Sequence, residues 1–354
     1  MHSRLLSVLF GMAGALLACE LVLQALPVSS ATARDYYMDP QVLSYPPGHR
    51  WHMATGWDLR NAQTLRANNF GFASEIDFVP DPQAVAFIGD SYVEASMLGA
   101  ADRPGAQLAR ALKDERAVYA LGAPGSALLD YAERIRLAST RLAVRDFVIL
   151  MEAGDVRQSL CGSGNVHGPC LAPRKLEPRV ETFAPASTLK RLISKSALAQ
   201  YLVGQLKLDV RRLPAQLFAA DAPTHEPASK AASAEPAVNA DTHRAEREAM
   251  VRAVSTAFFD RVQTHQVRKL VIVVDGQRKA VSLDADPQAA QISLERGQFM
   301  EIARARGAVV IDAEALYREH WKTSMLSLDV GPYDGHLNAL GVRLVAQAAA
   351  AAIR

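Results

Sequence analysis

The sequence predicts an α/β fold built on a parallel sheet of five short strands, with helices on both faces. Three observations carry that expectation. Short apolar runs recur at 84–89, 117–121, 147–151, 269–274 and 308–311, and each has the length of a strand buried on both faces. Between them lie longer, alanine-rich stretches of helical character, which a parallel sheet requires as right-handed crossovers. Short segments bearing Ser91, Gly122 and Asp155 follow closely on strand ends, where sites form in open sheets of this kind.

Taken in order, the first strand, 84–89, leads to a helix at 101–112. The second, 117–121, runs into Gly122-Ala123-Pro124-Gly125 and a helix at 126–142. Ser126 is placed to cap that helix, and Asp130 and Glu133 suit its first turns. The third strand, 147–151, is apolar throughout, and after it the rhythm stops. Residues 156–244 read as a long insertion that holds two cysteines, a basic amphipathic helix near 189–206 and a Pro/Ala/Ser-rich stretch at 219–240. That stretch carries Pro223, Pro227 and Pro236 with few large apolar residues, so it reads as a flexible surface loop. Alternation resumes with a helix at 245–266, the strand 269–274, a helix at 292–306, the strand 308–311 and a closing helix at 339–353. Ahead of the first strand, residues 34–83 form a polar lead-in with a turn at Asn68-Asn69-Phe70-Gly71-Phe72.

Of the 354 residues 49% are hydrophobic, enough for a sizeable core, and the formal net charge is only +2. No block of Lys and Arg stands out, so no nucleic-acid partner is expected. The N-terminus sets the expected compartment. Arg4 precedes a mostly apolar stretch from Leu5 to Leu26, interrupted by Ser7, Glu20 and Gln24. About twenty apolar residues span a bilayer. A basic flank on the short side keeps that end cytoplasmic and sends the rest across. Residues 1–33 therefore read as an uncleaved anchor, as a signal peptide cleaved at Ala31-Thr32-Ala33, or as a lipidation signal at Leu16-Leu17-Ala18-Cys19. Each outcome places the remainder outside the cytoplasm, in the periplasm, with the inner membrane as a partner.

Cys161 and Cys170 are the only cysteines after that segment, and Gly162, Gly164, Gly168 and Pro169 let the chain between them close. An oxidising compartment favours a disulfide there. The rival reading adds His167 to make a metal site, but it lacks a fourth ligand. Recognisable zinc, nucleotide and haem motifs are absent, and no cofactor is expected.

Two short motifs carry the candidate chemistry. Gly89-Asp90-Ser91-Tyr92 closes the first strand, and Asp334-Gly335-His336-Leu337-Asn338 opens the last helix. A serine hydroxyl is a poor nucleophile at neutral pH unless an imidazole within reach takes its proton. A carboxylate then holds that imidazole in one tautomer and stabilises its cation. Taken singly, Ser91 reads as a helix cap, Asp90 as a turn residue and His336 as a helix-start histidine. Their order and their placement beside strand ends favour a triad.

From residue 84 to the C-terminus, the insertion excepted, the pattern resembles the SGNH (GDSL-like) hydrolase superfamily. It looks closest to the membrane-anchored or periplasmic bacterial branch, which includes proteins that add or remove acetyl groups on cell-envelope polysaccharides. The resemblance implies a flavodoxin-like three-layer sandwich for 84–354. It implies Ser91 as nucleophile, His336 as base and Asp334 as its partner. An oxyanion hole would be formed by the Ser91 and Gly122 amides. Glu152-Ala153-Gly154-Asp155 falls where the family has Gly-x-Asn-Asp, which makes Gly154 and Asp155 candidate site-lining residues. Gly154 stands where the family's third donor, an asparagine, is expected, and an ionised Asp155 would repel an oxyanion. Either Asn165 or a backbone amide replaces that donor, or the site is slow or inactive.

The expectation is thus an extracytoplasmic serine esterase or acyltransferase acting on O-acetyl groups of a polysaccharide. The rival is a catalytically degenerate protein of the same fold that serves in glycan binding or assembly.

Overall fold

The computed structural model describes residues 2–31, 33–184, 187–206, 208, 237–278 and 287–354. The chain divides into an α/β unit, formed by Ala33–Arg50, Leu65–Pro185 and Glu246–Arg354, and a second unit formed by Met1–Thr32, Trp51–Thr64 and Ala186–Ala245.

In the second unit, helix α1 (His2–Gln24) is apolar, and most of its side chains from Arg4 onward are exposed. With it belong most of a hairpin, β3 (Arg50–Thr55) and β4 (Arg60–Arg66), and the segment α6 (Thr188–Ile193), α7 (Ala197–Ala199) and a π-helical stretch, Gln200–Gln205. The continuous helix expected near 189–206 is therefore broken. Ser196 interrupts it by turning its hydroxyl onto the Ala199 amide, the side-chain competition that favours caps over helix interiors. The stretch expected as a flexible loop lies outside the described residues up to 236, and 237–240 begin helix α8 (Ala237–Gln263).

The α/β unit begins with a short antiparallel pair, β1 (Asp35–Asp39) and β2 (Val42–Ser44). The turn at 68–72 follows from one side chain, since Asn68 Oδ1 accepts the amides of Phe70 at 3.0 Å and Phe72 at 3.1 Å. Gly71 sits there at φ +77°, with the Tyr45 carbonyl 2.2 Å from where a Cβ would stand, so no other residue fits.

The central sheet is parallel throughout: β5 (Val85–Gly89), β6 (Val118–Gly122), β7 (Asp146–Met151), β10 (Lys269–Val274) and β11 (Val309–Asp312), in the order β11-β10-β7-β5-β6. The chain starts near the middle, adds one strand outward, then crosses back and adds three on the other side. Side chains alternate between the faces. Ala86, Ile88, Leu121, Phe147, Ile149 and Ile272 pack with α4 (Leu128–Leu142), α8 and α9 (Pro287–Ala305). Val85, Phe87, Val148, Leu150, Val271 and Val273 pack on the opposite face with α3 (Pro104–Ala111), α10 (Ala313–Thr323) and α11 (Ala339–Ile353). This is the three-layer, flavodoxin-like arrangement expected. Each large apolar side chain so buried contributes about 1.5–3 kcal/mol.

The start of α4 differs from expectation. Asp130, not Ser126, closes it, by accepting the Ala127 amide at 2.9 Å, while the Ser126 hydroxyl donates to the Ala123 carbonyl at 2.5 Å. Between Cys161 and Cys170 a disulfide spans a Cα–Cα distance of 5.2 Å, and Cys170 is the middle residue of β8 (Pro169–Leu171), which pairs with β9 (Pro178–Val180).

At the amino-terminal edge of the sheet, buried Asp146 accepts from Arg268 Nε at 2.9 Å and Nη2 at 2.6 Å, and from Arg116. Burial raises its pKa, but the two guanidinium groups outweigh burial and hold the carboxyl below its usual value. A depressed carboxyl pKa stabilises the fold above the unfolded value of about 4 and loses that contribution as pH falls through the folded value. Urea unfolding of wild type and Asp146→Asn at about pH 7 and about pH 3 should show a gap that is wide at the higher pH and narrows at the lower.

Candidate active site

Strand β5 ends at Gly89, and the chain turns at once into a single helical turn, α2 (Ser91–Glu94). Asp90 makes the turn by accepting the Tyr92 amide at 2.8 Å. Two glycines let α2 sit down on the sheet. A Cβ on Gly89 would stand 2.5 Å from Val93 Cγ2 and 2.7 Å from the Leu150 carbonyl, and one on Gly122 would stand 2.2 Å from the Glu94 nitrogen. The Ser91 amide, first in the helix, has no carbonyl partner within it. Ala123 N donates to Gly89 O at 3.2 Å, so β6 stays bonded to the end of β5 one residue past Gly122.

The segment 328–338 folds back on itself before α11. Val330 N donates to His336 O at 2.9 Å, and Asn338 N to Leu328 O at 2.8 Å. Asn338 also caps α11, accepting the Leu340 and Gly341 amides at 3.0 Å each, while its amide group donates to Ser327 O at 2.7 Å. The loop thus held presents Asp334 and His336 together. Asp334 Oδ1 lies 2.9 Å from the His336 amide and 2.5 Å from His336 Nδ1. On the other side of the ring, Nε2 is 2.8 Å from Ser91 Oγ. Asp334 is nearly buried, whereas His336 remains partly open to solvent.

One residue that the sequence did not single out organises this corner. Arg278, just beyond β10, donates to the Gly335 carbonyl between Asp334 and His336, to Asp329 Oδ1 at 2.6 Å and to the Tyr92 hydroxyl at 2.5 Å. The Tyr92 ring in turn lies 4.8 Å from the His336 ring, centroid to centroid. Behind Arg278, Asp275 pairs with it at 3.3 Å and accepts from Tyr317 at 2.7 Å. Burial pushes the Asp275 carboxyl up, and Arg278 is the main influence drawing it down. The only sequence signal for Arg278 was its position four residues past a strand end.

At the end of β7 the structure separates two expected lining residues. Gly154 is half-buried, and the space of a side chain there is occupied: a Cβ would meet Glu152 Oε2 at 2.7 Å and Gln158 Nε2 at 3.0 Å. Asp155, which opens the short helix α5 (Asp155–Gln158), is fully buried; it accepts the Tyr131 hydroxyl at 2.8 Å and the Glu152 amide at 2.9 Å. Burial, then the nearby Asp90 and Glu152 charges, push its carboxyl well above the usual range. It braces the loop as a structural group. The Asn165 side-chain amide donates to Gln158 Oε1 at 2.8 Å. With Cys161 and Cys170 joined, neither sulfur is a free thiolate, so the metal reading with His167 loses two of its three ligands. Beneath Ser91, Glu94 is fully enclosed; burial raises its carboxyl to about 7 against the opposing pull of Arg34 and the Tyr45 hydroxyl.

No family model matches the sequence, and no curated protein matches it significantly. Among solved structures, the chain is similar to an α/β-hydrolase enzyme from the metagenome of Lake Arreo, Spain, at 12% identity, over 78% of this chain and 98% of that one, with a TM-score of 0.41. It is similar to an acetylxylan esterase from Geobacillus stearothermophilus at 14% identity, over 78% and 95%, TM-score 0.38. A carbohydrate acetylesterase from Sinorhizobium meliloti is similar at 11% identity, over 76% and 97%, TM-score 0.38. Likeness at this level is a likeness of fold alone.

The close approach at Gly122 is directly testable. The atoms in the way are backbone, so Gly122→Ala must displace α2 or β6. The expected cost is about 1–3 kcal/mol of stability in chemical denaturation, by overpacking.

Proposed function

We propose that this chain, which has the SGNH hydrolase fold, is a serine ester hydrolase or O-acyltransferase that removes or transfers acetyl groups on a cell-envelope polysaccharide. One observation carries the reading. Ser91 Oγ, His336 and Asp334 Oδ1 form a continuous hydrogen-bonded line, although Ser91 and His336 are 245 residues apart in sequence. Its two sequence motifs resemble those of acetyl-transferring members of the superfamily, and that resemblance supplies the substrate class.

In the proposed mechanism, Asp334 holds the Nδ1 proton of His336, leaving Nε2 to accept the Ser91 proton as Oγ attacks the acetyl carbonyl carbon. The tetrahedral oxyanion is met by the Ser91 and Gly122 amides; losing one such donor typically costs about a hundred- to a thousand-fold in rate. When the intermediate collapses, the sugar oxygen leaves with the proton from Nε2, and the acetyl group stays on Ser91. Water or a second hydroxyl, deprotonated by His336, then attacks the acyl-enzyme and restores the serine. Water makes the protein an esterase; a sugar hydroxyl makes it a transferase. No metal or organic cofactor enters these steps.

The compartment belongs to the same proposal. Within α1, Arg4–Gln24 is 21 residues long, and its composition is apolar enough to cross a membrane. We read it as an uncleaved anchor that holds the rest of the chain on the periplasmic side.

A second reading follows from Gly154, whose neighbours Glu152 and Gln158 fill the place of the family's asparagine. With a depleted oxyanion hole, the protein would bind or help assemble acetylated glycan without turnover.

Hydrolysis of p-nitrophenyl acetate separates the two. For the enzyme, Ser91→Ala and His336→Ala should each lower kcat by at least about a thousand-fold. Equal rates in wild type and both variants would sink the esterase, and saccharide binding untouched by Ser91→Ala would support the second reading. Arg278→Ala, which releases the Gly335 carbonyl and Tyr92, should lower kcat by about ten- to a hundred-fold with little change in KM, as expected for a misplaced imidazole.

A further inference from the structure

Glu20 lies one turn before the end of α1, a carboxylate within a stretch otherwise suited to hydrocarbon. A charge at membrane depth is costly unless it is paired. Here it is supplied with donors from a distant part of the chain. Ser196 Oγ donates to Oε2 at 2.7 Å, Ala197 N to Oε1 at 2.9 Å and Leu198 N to Oε2 at 2.9 Å, and Gln24 adds a contact at 2.9 Å from within α1. These bonds set the depth of residues 196–198 at the level of the last turns of α1.

The residues on either side have the character that such a depth demands. Leu192 is 68% exposed and Val203 49% exposed, with Ile193 and Leu202 also open. Arg191 and Lys195 are exposed among them. An apolar recess of about 440 Å³ opens in the same unit, lined by Val22, Leu23, Leu26, Trp57, Leu198 and Leu202. Beside the exposed Trp57, Tyr201 donates its hydroxyl to the Trp57 carbonyl at 2.7 Å. In water this apolar surface would be a liability. Apolar, aromatic and basic side chains grouped beside the end of a spanning helix are what the headgroup boundary of a bilayer accepts.

We propose that residues 188–205 form a second membrane element, lying in the exported face of the bilayer beside the anchor and docked to it through Glu20. Leu192, Ile193, Leu202 and Val203 enter the hydrocarbon boundary, and Arg191 and Lys195 meet the phosphates of anionic phospholipid. The proposal rests on α1 being an anchor and is independent of the chemistry at Ser91.

The test uses full-length Cys19→Ser protein in vesicles of phosphatidylethanolamine and phosphatidylglycerol, with a nitroxide placed at Leu192→Cys, Val203→Cys or, as an exposed control, Arg318→Cys. The labels at 192 and 203 should collide more often with oxygen than with a water-soluble nickel chelate, whereas the control should favour the chelate. In Glu20→Ala the protein should still sediment with vesicles while both labels shift toward the chelate. Protein that sediments in wild-type form with labels 192 and 203 as open to the chelate as the control overturns the interfacial element alone. Protein that stays in the supernatant overturns the anchor and this proposal with it. Esterase activity in detergent reports separately on the triad, so its loss or retention touches neither outcome.

Discussion

Five parallel strands that finish level at one edge are the constraint on which the α/β unit depends. Gly89 faces Gly122 on one side and Leu150 on the other, and Met151 faces Val274. Every crossover must then return along a face of the sheet, and every strand must hand its chain to a loop at the same edge. Ser91, Glu152 and Arg278 are neighbours for this reason, although long crossovers separate them in the chain. The register also explains the paired glycines. Where two strands end side by side, the first turn of α2 comes down on both, and a Cβ on either would strike it.

Crowding strand ends together gathers charge. Asp90, Glu152 and Asp275 follow three adjacent strands, and burial raises all three carboxyls. The fold answers with guanidinium groups: Arg134 bonds the Gly89 carbonyl at 2.6 Å, Arg278 pairs with Asp275 and Asp329, and Arg296 bonds the Asp275 carbonyl at 2.6 Å. Networks of this kind give the side chains few alternative arrangements, because leaving any one member unpaired in a low-dielectric setting is costly. A triad whose histidine sits on a loop gains its rigidity from that surrounding, with Arg278 holding the loop by its Gly335 carbonyl.

The second unit applies the same rule to a different solvent. Glu20 is tolerable in α1 because Ser196, Ala197 and Leu198 bring donors to it. In both units, a charge in a poor dielectric is matched by groups remote in sequence.

What could be read beforehand was whatever is encoded over short distances. Apolar runs of strand length, with helical stretches between them, were enough for the five-stranded parallel sheet. Ser91 and the Asp334–His336 pair were visible because each motif is local and sits beside a strand end or a helix start. Ser126 reads as a cap by position, but its hydroxyl turns back to the Ala123 carbonyl, and Asp130 takes the Ala127 amide instead. Arg278 could not be found, because its partners Tyr92, Asp329 and Gly335 lie 186, 51 and 57 residues away. Asp155 looked like a site residue by position, yet the fold turned it inward to Tyr131. The sheet, its helices, the apolar leader and the two motifs are legible in the chain alone, since periodicity and turn chemistry act between near neighbours. The 2.8 Å between Ser91 Oγ and His336 Nε2, and the guanidinium that holds the histidine loop, emerge only on folding. Those distances depend on how crossovers pack, and packing couples residues without regard to their separation along the chain.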